Sequence, residues 1–175
     1  MEYRLELFNS DSIESLLGHL NSEILSIVNR ASIDLDESHR RELSTQFRTY
    51  FQQKGWNQHT TLYFEDARKN TPHFIKNGIL VHVSWRHYEK IGTELMKLQI
   101  DYVRKKISAA VIICITNDFL NVFKKHYKLK GQDSPFSGSI TLERVKRYIA
   151  EVSSMLSVPI VIIGLLPPPI NDASL

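Results

Sequence analysis

The stretch HFIKNGILVHVSW, residues 73–85, decides how this chain folds. Asn77-Gly78 is a strong two-residue turn signal, because both residue types tolerate the positive φ that a tight hairpin demands. Beyond the turn, Ile79, Val81, Val83 and Trp85 alternate with Leu80, His82 and Ser84. That period of two predicts a strand with one apolar face and one partly polar face. Pro72 lacks an N–H and excludes a central strand just before this stretch. Residues 65–72 therefore read as an approach loop, and residues 60–64 as a short strand ahead of it.

Working toward the C-terminus, residues 93–106 read as a helix that packs through Leu95, Leu98 and Tyr102. AAVIICI, residues 109–115, is continuously apolar, as a strand buried on both faces should be. Residues 118–127 read as a helix. Gly131, Pro135 and Gly138 mark residues 128–139 as a loop. A helix over 142–155 turns Val145, Tyr148, Ile149 and Val152 inward, and residues 158–165 form a second buried strand with Pro159 at its start. Toward the N-terminus, Asp11 stands three residues before Glu14, a capping-box spacing. Ile13, Leu17, Leu20, Ile24 and Ile27 then form one helical stripe ending near Asn29. A second helix is expected over 37–51, with Leu43, Phe47, Tyr50 and Phe51 inward. This order predicts one α/β domain over residues 1–166 with a central mixed sheet flanked by helices, and a tail over 167–175.

Composition narrows the class. The chain has 175 residues, 42% hydrophobic and 23% charged, which suits one domain with a real core and excludes wholesale disorder. A single cysteine, Cys114, excludes an internal disulfide and a cysteine-rich zinc site. It sits inside AVIICI and reads as a small core hydrophobe. With no signal-peptide pattern and no apolar run long enough to span a bilayer, the expected setting is intracellular and cytoplasmic, away from membranes. The absence of GxxxxGK and GxGxxG removes support for nucleotide hydrolysis and dinucleotide redox chemistry.

The formal charge is only +3, but it is unevenly distributed. From Lys97 to Arg147, 11 Lys/Arg stand against 4 Asp/Glu. Lys97, Arg104, Lys105 and Lys106 form one group, and Lys124, Lys125, Lys128 and Lys130 another. Lysines spaced one to four apart near a helix end can meet phosphate oxygens without reading bases. Arg104, Lys105, Lys124, Lys125 and Lys128 are the candidate phosphate contacts, and a solvated surface is the plain alternative.

His82 is the unusual residue of the main strand. With His73 across the bend and Ser84 two residues on, it could form a small polar site that moves a proton or holds a soft divalent metal. The plain alternative is a buried histidine satisfied by a backbone carbonyl or by Ser84. No HExxH, acidic pair or zinc triad completes a metal site here, so none is assigned from the pattern. Of the two glutamates that follow, Glu89 and Glu94, Glu94 has room to face back toward His82.

HFIKNGILVHVSWRHYEKIGTELMKLQID, with ISAAVIICIT and VPIVIIGL, resembles the Bgl-type type II restriction endonucleases. The resemblance implies the PD-(D/E)XK nuclease fold over residues 1 to 166, a homodimer, double-stranded DNA as partner, and magnesium-dependent cleavage. The family carries an Asp-Phe pair, a lysine-containing turn and a Leu-Val-Glu-Val-Gln strand. The matching residues are His73-Phe74, Lys76, and Leu80-Val81-His82-Val83-Ser84. The apolar frame is kept, while His73, His82 and Ser84 replace the three active residues.

Magnesium wants hard oxygen ligands, and imidazoles suit zinc or nickel better. No cofactor is therefore expected. Magnesium would enter only if the chain cuts DNA by another route, and zinc or nickel only if the histidines ligate a metal. Three readings follow: a degenerate nuclease-like DNA-binding protein, as a homodimer or a subunit of a DNA-processing or defence complex; an active endonuclease with a histidine-altered site; and a protein-interaction subunit that touches no nucleic acid.

Overall fold

The computed structural model describes residues 1–35, 40–58, 73–85 and 90–168. Its strands are β1 (Tyr3–Phe8), β2 (Asn57–Gln58), β3 (His73–Lys76), β4 (Ile79–Val83), β5 (Ala109–Ile115) and β6 (Ile160–Leu165). They form one mixed sheet in the order β1-β6-β5-β4-β3-β2. β4, β5 and β6 run parallel at its centre, and β1 and β3 flank them antiparallel. The two apolar segments are thus adjacent strands, with His82 on the next strand over, as expected.

The helices are α1 (Ile13–Leu17), α2 (Leu20–Arg30), α3 (Arg40–Gln53), α4 (Ile91–Val103), α5 (Asn117–Leu129) and α6 (Leu142–Val152). Because strand side chains alternate between faces, the sheet splits its core in two. Val81, Val83, Val111 and Ile113 pack against α1, α2, α3 and α5. Leu80, Ala110, Ile112 and Cys114 pack against α4 and α6. On the first side an aromatic cluster fills the space: Phe51 stacks on Phe74 at 4.7 Å, and Phe47 lies 5.9 Å from Trp85. Trp85 is a core residue. Deleting one such ring would cost about 3–5 kcal/mol.

Several local expectations are corrected. The stripe from Ile13 to Ile27 belongs to two helices, because Gly18 at φ 52° breaks the first. The cap of α1 is Ser12, which accepts the Ser15 N–H, one residue after the expected Asp11. β1 was not anticipated. Helix α4 spans Ile91–Val103, α5 runs on to Leu129, and the end of the last helix tightens into a 3-10 turn at Ser153–Met155. β4 ends at Val83, although the Ser84 N–H still donates to the Ile113 carbonyl at 2.8 Å. The expected strand at 60–64, the loop at 65–72 and the start of the 37–51 helix lie outside the described residues.

Candidate functional site

The site is set by a turn. Asn77 and Gly78 adopt φ of 50° and 77°, the left-handed values that a type I′ hairpin requires at both positions. The resulting register puts Lys76 opposite Ile79 and His73 opposite His82. Directly opposed side chains share a face. The two imidazoles therefore meet beneath α4, with Nδ1 atoms 3.0 Å apart and ring centroids 4.4 Å apart. At that separation one nitrogen donates and the other accepts, so a single proton lies between them.

Helix α4 brings the third group. Glu94, in its first turn, points down at the hairpin, and its Oε2 lies 4.0 Å from His73 Nε2. Its Oε1 accepts from Lys97 Nζ at 3.2 Å, one helical turn on. One ligand atom from each of His73, His82 and Glu94 falls within 4.8 Å of the others. His82 is 1% exposed and Glu94 6%, while the His73 side chain keeps 11%. The cluster is thus nearly closed, with its open side at His73. His82 offers no surface to a phosphate in this conformation.

Of the three expected active positions, His73 and His82 come together, and Ser84 lies buried two residues further along the β4 line. Glu94 completes the group. The sequence left Glu94 room to face back toward His82 without assigning it to the site, and it does so from a separate helix. The turn lysine is drawn elsewhere. Lys76 Nζ binds both oxygens of Glu23, at 2.9 and 3.0 Å, and donates to the Lys54 carbonyl. Burial alone would raise the Glu23 carboxyl. Hydrogen bonds from Lys76 and Trp56, with the Lys76 and Lys54 charges, hold it below its ordinary value instead. This ionic clip ties the hairpin to α2.

The candidate phosphate contacts separate. Arg104 and Lys105 are exposed just past α4, beside the Asn77-Gly78 turn, with Ser108 N–H on the Gly78 carbonyl. Gly78 is four strand rises, about 13 Å, from His82. Lys124, Lys125 and Lys128 are exposed on α5, whose apolar side packs on the opposite face of the sheet from α4. The two groups therefore do not form one patch on a single chain. Lys97 is pulled into the site by Glu94, and Lys106 leans toward Asp101 at 3.9 Å. Cys114 is fully buried between α4 and α6, and burial, with the nearby Glu143 charge, pushes its thiol far up. It is no nucleophile.

A mixed sheet clad by helices on both faces, with polar residues gathered on a hairpin strand beside the parallel centre, defines a protein of the restriction-endonuclease-like α/β class. The chain matches the family described as "Restriction endonuclease BglII/BglIII" over residues 9–165, and it belongs to that family. No curated protein matches it at a significant level. Among solved structures it is similar to free BglII, with a TM-score of 0.65 and 16% identity over 96% of this chain and 81% of that one. It is also similar to BglII complexed with a DNA 16-mer, with a TM-score of 0.70 and 15% identity over 96% and 78%.

Against that family, the altered positions carry a His/His/Glu cluster in place of the usual carboxylate set. Magnesium does not fit it. The ion needs near-octahedral oxygen ligands, and this cluster supplies two imidazoles and one carboxylate already held by Lys97. The cluster is not the Asp/Glu/Lys set of PD-(D/E)XK nucleases, which fits a reduced or altered catalytic capacity.

Proposed function

We propose that this chain binds duplex DNA on a nuclease scaffold and does not cut it by the magnesium route. The observation that carries the reading is the His73–His82 pair at the two positions where the family places its metal-binding carboxylates. Two metal-free carboxylates would repel a phosphate; here imidazoles stand at both positions, and the one carboxylate beside them, Glu94, is paired with Lys97. The DNA-bound relative supports duplex DNA as the partner. Lys124, Lys125 and Lys128 are the first phosphate contacts, and Arg104 and Lys105 engage the backbone from the other face.

A homodimer reconciles the two separated basic groups with one duplex, since a second copy can present the face that the first turns away. Met96, Ile100 and Val103 supply an apolar stripe for that pairing. They are 42%, 36% and 65% exposed and lie opposite the buried side of α4.

The test is duplex binding at two salt concentrations, for the native chain and for a Lys124→Glu, Lys125→Glu variant, with a magnesium cleavage assay alongside. Affinity should fall steeply with salt, and each contact removed should lower the salt slope by about one unit for all sequences alike. The DNA should remain intact. Undetectable binding at low salt, or binding indifferent to both salt and charge reversal, would sink the reading and favour a protein-interaction subunit.

A second reading has its own observation. His73 and His82 share a hydrogen bond at 3.0 Å and Glu94 stands 4.0 Å from the far nitrogen of His73, so a closer approach of Glu94 would complete a proton path through His73. Cleavage that persists in chelator and disappears in His82→Ala would establish an altered nuclease.

A further inference from the structure

We propose that His73, His82 and Glu94 form a binding site for one zinc-class divalent cation, which fastens the β3–β4 hairpin to helix α4. The proposal does not depend on duplex binding, because the metal alone is its probe. Three independent features converge on it.

The first is convergence of ligand atoms from three elements. β3, β4 and α4 each contribute one residue, and the ligand atoms lie within 4.8 Å of one another. A tetrahedral zinc with bonds of about 2.0–2.1 Å places its ligands roughly 3.4 Å apart. The two histidine Nδ1 atoms are 3.0 Å apart and Glu94 Oε2 stands 4.0 Å from His73 Nε2, so ligation through one nitrogen of each ring needs a turn of the His73 imidazole together with a closer approach of Glu94.

The second is the donor set. Two imidazoles and one carboxylate suit zinc, nickel or cobalt, and match magnesium and calcium poorly. A cation entering here requires the proton shared by the two rings to move to the far nitrogen of its own ring, so that both imidazoles ligate as neutral groups, and its charge is countered by one buried carboxylate. Three protein ligands leave a fourth position for water or an oxyanion, on the open side at His73.

The third is outer support. Lys97 holds Glu94 Oε1 at 3.2 Å, which leaves Oε2 facing His73. The carboxylate is thereby oriented for single-oxygen ligation, the kind of outer-shell restraint that metal sites use.

The experiment is a Zn2+ titration of the metal-stripped full chain against a chromophoric chelator, with Mg2+ as the comparison ion. We expect one Zn2+ per chain, bound at least about 100-fold more tightly than Mg2+, and a raised unfolding midpoint. Glu94→Gln and His82→Gln should each weaken Zn2+ binding by about tenfold or more. X-ray absorption on the native zinc-loaded chain should show two imidazole nitrogens and one carboxylate oxygen. Should either variant fail to fold, that coordination sphere decides alone. No zinc binding by the native chain, binding that both variants leave unchanged, or a sphere without two imidazoles would overturn the proposal.

Discussion

Strands β4 and β5 lie side by side, parallel and wholly buried, yet only one of them carries a polar side chain. β5 reads AAVIICI, with β4 on one side and β6 on the other. β4 reads ILVHV, and beyond it lie only the short strands β3 and β2. The difference is one of available company. A buried imidazole costs free energy unless it finds a partner. His82 finds His73 across the hairpin and Glu94 overhead, whereas nothing in the centre of the sheet could serve β5. Polar chemistry in this fold belongs where the packed sheet gives way to an edge that a helix can cover.

The sharpest way to break the comparison is to move the histidine. Val111 is fully buried and registers with Val81 and Val161. Val111→His should cost about 3–4 kcal/mol in denaturant unfolding, from overpacking and an unmatched ring together. A loss under about 1 kcal/mol would show that the centre tolerates what we assign to the edge. Next comes tightness. A Cβ at Gly164 of β6 would stand 2.9 and 3.0 Å from the Leu142 side chain and 3.1 Å from that of Thr116. Gly164→Val should therefore destabilise by about 2–3 kcal/mol. Thermal unfolding at a midpoint equal to the native one would refute so close a contact.

The hairpin end predicts a smaller, pH-dependent effect. Glu23→Gln should cost about 1–2 kcal/mol at neutral pH by weakening the Lys76 and Trp56 contacts. Since the folded carboxyl is held below its ordinary value, its stabilisation is present above about pH 5 and lost as pH falls through the folded value. Native and variant stabilities should thus converge in acid, and a constant gap would contradict the clip. The smallest effect is at Cys114. Its buried thiol should resist alkylation in the folded chain and react only at the rate of unfolding. Prompt labelling in native buffer would place it outside the core.

Much of the sheet was legible because its signals are local. Asn77-Gly78 announces a turn, and the apolar runs at 109–115 and 158–165 announce strands buried on both faces. The N-terminal strand was not read, although Tyr3, Leu5 and Leu7 alternate with Arg4 and Glu6. Its six residues are partly buried or exposed and gain their meaning from pairing with β6, more than 150 residues away. Gly18 was passed over because the apolar stripe continues in phase on both sides of the break. Of the site, the two histidines stood out as departures in an otherwise matching strand. Glu94 was named only as having room to face His82 and was left out of the site, because its role is created by the angle at which α4 crosses the hairpin, and no spacing in the sequence encodes that angle. Charge clustering in the sequence likewise gave two basic groups, around Arg104 and around Lys124, without showing that the fold sends them to opposite faces.

The two-residue turn at Asn77-Gly78 also works as an error check on the assembly of the sheet. A strand that slips by one residue exchanges its two faces. On β3 the neighbours to be exchanged are His73 and Phe74, and Phe74 is fully buried against Phe51. A hairpin closed one residue out of step would drive an imidazole into the aromatic cluster and turn a phenyl ring toward Glu94. Both mistakes are penalised at once, so the wrong pairing has no comfortable resting state. The residues that make the site chemically distinct therefore also help the chain to count.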